Sequence, residues 1–522
     1  MGEGYTVRRM MERVLVAGIV LAMTGFILLV LIGLWDRYEK QTASSGFSEV
    51  DGRSPAPQAA SSRDSDARAN TTAEHAPRIA VGRSRLGPAQ VLQQEPRVSG
   101  TQVLEGSNQG ISVALSADGS TAIVGGPGPH SVDLDRSPLV GPAGAAWVFT
   151  RRHGVWMQQG DKLVGATSEY GGGLWSQGAS VALSGDGSTA IVGGPSDSRT
   201  KGAAWVFTRT DGVWTQQGNK LVGTGVYRAG ELALPSGQGM AVALSADGDT
   251  AIVGGWGAEA AWVFRRNASG VWTQEGKLVG DGAVGRAHRG MSVALSADGN
   301  TAIVGGWSDN SKTGAVWVFR RSGGVWGQQG RKLVGTGAVG NTNQGWSVAL
   351  SADGNTAIVG GPGDNLWDPS VPFGLGGAGA AWVFTRNGSS WTQEGEKLVS
   401  ARSARQGTSV ALSGDGNIAV VGGFVEDGAG NAGLVFTRSG GQWTLDKKLV
   451  VTSAVGKSTP SVALSADARV VMVGGSNDNG GIGAVWAFTH SDGGWSQDKK
   501  LIGTSAIRKS PPPAALSADG SR

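Results

Sequence analysis

The chain has 522 residues, with 45 Lys and Arg against 41 Asp and Glu, a net charge of +4, 89 Gly and no Cys. Without cysteine there are no disulfides, no thiolate metal sites and no cysteine nucleophile. The positive excess is small and scattered, with Lys and Arg often beside Asp or Glu, which argues against nucleic-acid binding.

Residues 1–13 carry Arg8, Arg9 and Arg13, and residues 14–35 (VLVAGIVLAMTGFILLVLIGLW) form an apolar run without charge. A membrane-spanning helix needs about 20 such residues, whereas the core of a cleaved signal peptide runs to about 7–15. The length therefore predicts an uncleaved signal anchor. Its basic leading flank places residues 1–13 in the cytoplasm and the bulk of the chain on the periplasmic or extracellular side. Gly2 with Thr6 also matches a myristoylation pattern, which a spanning helix makes redundant. Residues 36–100 turn to Ser, Ala, Arg, Asp, Gly and Pro without apolar periodicity. They read as a disordered, flexible linker holding the next domain off the membrane.

Residues 290–335 set the pattern for the rest. They hold four short apolar runs, at 292–296, 301–305, 315–319 and 325–334, each rich in β-branched or aromatic residues and bounded by Gly, Asp, Asn or Ser. That pattern predicts four strands joined by tight turns. The unit recurs seven times, with SVALS-type strands starting at Ser112, Ser180, Ala241, Ser292, Ser347, Ser409 and Ser461. Four strands per unit at a period near 50 predict an all-β chain, a seven-bladed β-propeller of four-stranded blades over residues 101–503. Residues 504–522 restart the first strand (AALSADG) and stop, as a partial repeat that either helps close the ring or marks a truncation. Length varies after IVGG (127–142 and 362–377) and before SVALS (224–238), so insertions map to particular inter-strand loops. Binding surfaces are commonly built on such loops.

Asp-Gly between the first two strands predicts a two-residue type I′ hairpin, and Asp467-Ala468 predicts a strained or longer turn. Thirteen of the 19 Trp residues occupy two fixed repeat positions and read as blade core. The non-repeat Trp175, Trp256, Trp307, Trp346 and Trp367 are the better candidates for ligand contacts. Among them Trp256 and Trp307 directly follow IVGG, and Trp367 lies in a long loop.

The string G-x-SVALSADG-x-TAIVGG…GAxWVF resembles the FG-GAP repeat, the blade unit of integrin-type propellers, in its bacterial SVALSxDG/VGG variant. The resemblance covers about residues 102–503. It implies a seven-bladed propeller and cell adhesion or other partner binding outside the cytoplasm. The kelch repeat, also a propeller unit, has the same order of Gly-Gly, aromatic and Trp. Calcium-binding FG-GAP members carry D-x-D-x-D-G-x-x-D between the first two strands. Here that loop keeps one carboxylate, and calcium takes six to eight oxygens, so no metal is expected. Loops at Ser308-Asp309-Asn310 and Asp364-Asn365 hold some oxygen ligands without completing such a set.

The five His residues (75, 130, 153, 288 and 490) show no metal spacing, and no G-x-S-x-G, H-E-x-x-H or P-loop occurs. The repeat Asp residues support one turn each. The sequence therefore predicts a non-catalytic propeller without cofactor, anchored in the membrane by residues 14–35, binding a protein or glycan and no nucleic acid. Its rivals are a propeller-type polysaccharide lyase or hydrolase and a structural scaffold of an envelope assembly.

Overall fold

Each inner hairpin is built by one serine and one aspartate. In the first repeat, Ser116 Oγ donates to Asp118 Oδ1 and accepts the amide of Thr121, while Asp118 Oδ1 accepts the amide of Ser120. The amide of Gly119 donates to the carbonyl of Ser116, and Gly119 alone in the turn takes a positive φ. This is a type I turn in a four-residue loop, not the two-residue type I′ form expected from Asp-Gly. The serine side chain supplies the partner that a shorter loop would have found in the backbone. Ala468 keeps the same turn and the same length, at φ 58, so the strain sits on one alanine.

A computed structural model describes residues 106–128, 144–166, 176–225, 236–365, 377–401, 403–425, 430–452, 458 and 460–504. These residues form seven antiparallel sheets, hydrogen-bonded in chain order. Blade 1 comprises Ser112–Leu115, Thr121–Gly126, Ala145–Arg152 and Val155–Gln158. Blade 2 comprises Ser180–Leu183, Thr189–Gly194, Ala203–Thr210 and Val213–Gln216. Blade 3 comprises Gln238–Leu244, Thr250–Gly255, Ala260–Arg266 and Trp272–Leu278. Blade 4 comprises Ser292–Leu295, Thr301–Gly306, Ala315–Ser322 and Val325–Gln328. Blade 5 comprises Ser347–Leu350, Thr356–Gly361, Ala380–Asn387 and Ser390–Gln393. Blade 6 comprises Val410–Leu412, Ile418–Val425, Asn431–Ser439 and Gln442–Val450, with a fifth short strand, Ser403–Ala404, on Ile418–Val425. Blade 7 comprises Ser461–Leu464, Val470–Gly475, Ala484–Ser491 and Gly494–Leu501.

The sheets close into a ring. The amide at position 117 donates to the carbonyl of residue 185, and the relay continues through 246, 297, 352, 414 and 466 back to 117, at 2.8–2.9 Å throughout. Seven backbone hydrogen bonds thus join the inner turns in a closed circle. The chain is a seven-bladed β-propeller, as its repeats predicted.

The core lies between neighbouring blades. Ile123, Ala146 and Val148 of blade 1 pack against Val181, Val192, Trp205 and Phe207 of blade 2. The same interface closes the ring, where Met472, Val485 and Leu501 of blade 7 meet Val124, Trp147 and Phe149 of blade 1. The Trp residues of the third strands are its largest fully buried side chains, with Trp205 and Trp262 at 0% exposure. Trp205 leans on Gly165, at the end of the preceding repeat, so closely that a Cβ there would overlap the indole, and its Nε1 donates to the carbonyl of Ala166. The second Trp position lies at the rim. Trp214 Nε1 and Arg209 Nη1 of blade 2 both donate to Gln159 Oε1 of blade 1 at 3.1 Å, with the guanidinium 5.5 Å from the indole centre. Trp272 with Arg266, Trp326 with Arg321 and Trp391 with Arg386 repeat the arrangement on Gln217, Glu275 and Gln329.

A meander places the first-to-second and third-to-fourth turns on one face. The loops after IVGG and the connectors before SVALS start and end on the other, the variable face, while the third-to-fourth turn of blade 3 is one residue longer than its counterparts. Among the described residues no helix is long and apolar enough to cross a membrane. The apolar run at 14–35, the linker 36–100 and the partial repeat beyond residue 504 lie outside the described residues.

Candidate functional site

Seven copies of one unit separate structural positions from specialised ones. A residue that recurs at one place in every blade is explained by the blade, and a departure at that place needs another cause. After the IVGG element the blades carry Pro127, Pro195, Trp256, Trp307, Pro362, Phe424 and Ser476. Immediately before the innermost strand they carry Ile111, Ala179, Met240, Met291, Trp346, Thr408 and Pro460. Two residues earlier, Gln109, Gln177, Gln238, Gln344 and Gln406 recur, but Arg289 replaces Gln between blades 3 and 4 and Ser458 replaces it between blades 6 and 7.

These departures meet on the variable face. Trp256 of blade 3 sets an edge against His288, with ring centres 5.4 Å apart. His288 stacks on Trp307 of blade 4 at 5.2 Å and 14°. Trp307 in turn meets Trp346, directly before the inner strand of blade 5, at 5.7 Å and 65°. All four rings are half-buried. They form a continuous row across three blades, and half-burial leaves ring surface open to a ligand.

Polar groups flank the Trp256 end. Glu259 accepts the amides of His288 (2.8 Å) and Arg289 (3.2 Å), and pairs with Arg289 Nε at 3.3 Å and Arg286 Nε at 3.5 Å. Arg289 Nη1 also donates to the carbonyl of Gly280, and its guanidinium lies over Trp317. At five other joints that clasp is made by Gln, for example Gln238 Nε2 on the carbonyl of Gly223. Glu259 and His288 both take left-handed backbone conformations, φ 55. Asn108, Asn343 and Arg405 do the same at the position equivalent to His288, so the repeat sets the backbone and only the side chain is new. Burial holds the His288 imidazole below its ordinary value of 6.5, Glu259 opposes this, and Arg286 adds to it. Its Nδ1 is buried with no hydrogen-bond partner among the described residues.

Of the residues singled out in the sequence, Trp256, Trp307 and Trp346 come together here. Trp175 and Trp367 lie outside the described residues. Glu259, Arg286, His288 and Arg289 were missed, although His288-Arg289 in place of Asn-Gln was a visible break in the repeat. The acidic loop residues have another role. Asp309 and Asp364, each 1% exposed or less, pair with Lys332 and Lys397 and accept the amides of Val284 and Val339. They bind the variable loops to the outer strands. Among the described residues no group of three or more metal-ligating side chains occurs. A cavity of about 630 Å³ opens on the opposite face, beside Gln217, Asp249 and Arg266. Its Arg266 is already paired to Asp249 and Gln217, so the row of departures from the repeat is the stronger site.

No protein-family model matches the chain. No curated protein matches it either. Solved structures that it resembles include a putative 6-phosphogluconolactonase from Bacteroides uniformis, at 11% identity and TM-score 0.47, covering 69% of this chain and 93% of that one. A periplasmic gluconolactonase from Pseudomonas aeruginosa has 16% identity and TM-score 0.43, covering 69% and 92%. The Swd1 β-propeller domain from Myceliophthora thermophila has 10% identity and TM-score 0.43, covering 70% and 94%. At these identities the likeness shows the propeller fold alone, and no match confirms the FG-GAP resemblance. Two of these three propellers are named as lactonases, one of them as putative, and the reading of this chain as non-catalytic is not carried further.

Proposed function

We propose that the chain is a sugar-binding propeller whose site is the row Trp256, His288, Trp307 and Trp346. One observation carries the reading: four aromatic departures from the repeat, scattered along the sequence, converge into one half-buried row. Aromatic faces offer large apolar area with little side-chain entropy to lose, which suits the C–H faces of pyranoses. Glu259 and Arg286 at the edge can meet hydroxyl or charged substituents. The apolar run at 14–35 would anchor the propeller outside the cytoplasm, in keeping with the FG-GAP resemblance.

A second reading, hydrolysis in the same cleft, is favoured by His288. A neutral imidazole is the form that a general base requires. A glycan array probed with the full chain and with Trp307→Ala, followed by product analysis of every glycan bound, tests both. Retained glycans that depend on Trp307 support the first reading, and products that disappear with His288→Ala support the second. Binding unaffected by Trp307→Ala overturns the placement of the site.

A further inference from the structure

The flank of the aromatic row has an uneven charge. Among the described residues Glu259 is the carboxylate that these arginines share, and it serves four donors: the amides of His288 and Arg289 and the guanidinium groups of Arg289 and Arg286. Arg289 is committed, its side chain 15% exposed, held by Glu259 and by the carbonyl of Gly280 and laid over Trp317. Arg286 is not committed in this way. Its side chain is 45% exposed, and its contacts with Glu259 Oε1 and the carbonyl of Gly257 are long, at 3.5 and 3.4 Å. Gly257 adjoins Trp256, so this guanidinium stands at the Trp256 end of the row.

Within this cluster two guanidinium charges face one carboxylate. A cation such as a quaternary ammonium, the usual guest of an aromatic cage, would meet like charge here. A planar carboxylate or a phosphate ester matches a guanidinium fork with two parallel hydrogen bonds, and an exchange from two long contacts to two short ones favours the ligand. Resting on the sugar-binding reading above, we infer that the ligand is an acidic oligosaccharide, with a sugar ring on Trp256 and its carboxylate or ester phosphate on Arg286.

The test compares glycans that differ only in charge. Full-length protein is titrated with oligogalacturonate and with its methyl ester, which has the same rings without the negative charge, and the pair is repeated with Arg286→Gln. The acid is expected to bind at least ten-fold more tightly than the ester, with the difference shrinking as salt is raised. Arg286→Gln should remove the difference between acid and ester, bringing the acid down to the level at which the same variant binds the ester. Equal binding of acid and ester by the unmodified protein overturns the acidic preference and leaves the sugar-binding reading standing. Failure of both glycans to bind overturns both. A preference that survives Arg286→Gln unchanged, or shows no salt dependence, removes Arg286 from the role.

Discussion

Gln109 and Gly503 lie 394 positions apart and hold each other by two hydrogen bonds, Gln109 Nε2 to the Gly503 carbonyl at 2.8 Å and the Gly503 amide to Gln109 Oε1 at 2.6 Å. The same clasp joins Gln177 to Gly165, Gln238 to Gly223 and Gln344 to Gly335. The ring therefore closes with an ordinary inter-blade joint, and each blade keeps four strands of its own repeat. Overlap of surplus strands, one expectation from the ends of the sequence, is not needed for the joint. Replacing Gln109 by Ala orphans a buried amide and a buried carbonyl, at about 1–3 kcal/mol for each group. The urea midpoint should fall by about as much for Gln109→Ala as for Gln238→Ala. A negligible change at Gln109 alone would show that the seam is held by something else.

The small residues at blade junctions are steric requirements. A methyl group on Gly165 would overlap the Trp205 ring, whereas one on Gly327 meets nothing within 4 Å. Gly165→Ala should cost about 1–3 kcal/mol, as overpacking does. Gly327→Ala should stay within about 0.5 kcal/mol, as for an open surface site. Paired denaturation curves check the contrast.

The loop clamp should behave as a buried ion pair. Asp309 is 0% exposed and faces Lys332, whose side chain is 19% exposed. Lys332→Met leaves the carboxylate without its counter-charge and should destabilise by roughly 3 kcal/mol, while Lys332→Met with Asp309→Asn should recover most of the loss. Thermal unfolding of the single and double variants decides it.

Acid should weaken the ring at its inner turns. Burial alone would raise the pKa values of Asp118, Asp186, Asp298, Asp353 and Asp415, but hydrogen bonds from the neighbouring serine and the following residue more than offset it and hold them below 3.8. A depressed carboxylate contributes stability that is present above its unfolded value and is lost as pH falls through the folded one. These five groups should leave stability flat from about pH 5 to 7 and erode it below about pH 4. Asp298→Asn should reduce the slope in acid, as read from unfolding midpoints across pH. His288 should titrate below 6.5 by NMR, and a value above 6.5 would remove the case for a neutral imidazole.

How much was legible in the sequence depended on whether a role repeats. Blade number, strand order, the buried third-strand Trp residues and the structural aspartates were visible because each is stated six or seven times in one register. The turn type was misread because Asp-Gly suggests a two-residue loop, and the hydrogen bonds of Ser116 were not considered with it. The rim pairing of Trp214 with Arg209 and Gln159 was hidden because its partners belong to different repeats. The site was half legible. Trp256 and Trp307 stood out by type, but His288 was judged against metal spacing instead of against Asn108 and Asn343, its counterparts in the repeat. Its contacts with Trp256 and Trp307 arise from ring geometry, which no local window of sequence displays.

The measurement that bears most directly on the account is hydrogen exchange of the full-length protein with and without saturating oligogalacturonate. The account predicts slowed exchange in the segments around Trp256, Arg286 to Arg289, Trp307 and Trp346 on the variable face, with the Ser-Ala-Asp-Gly turns of the opposite face unchanged. Protection confined to those turns, or to the rim cavity beside Arg266, would contradict it.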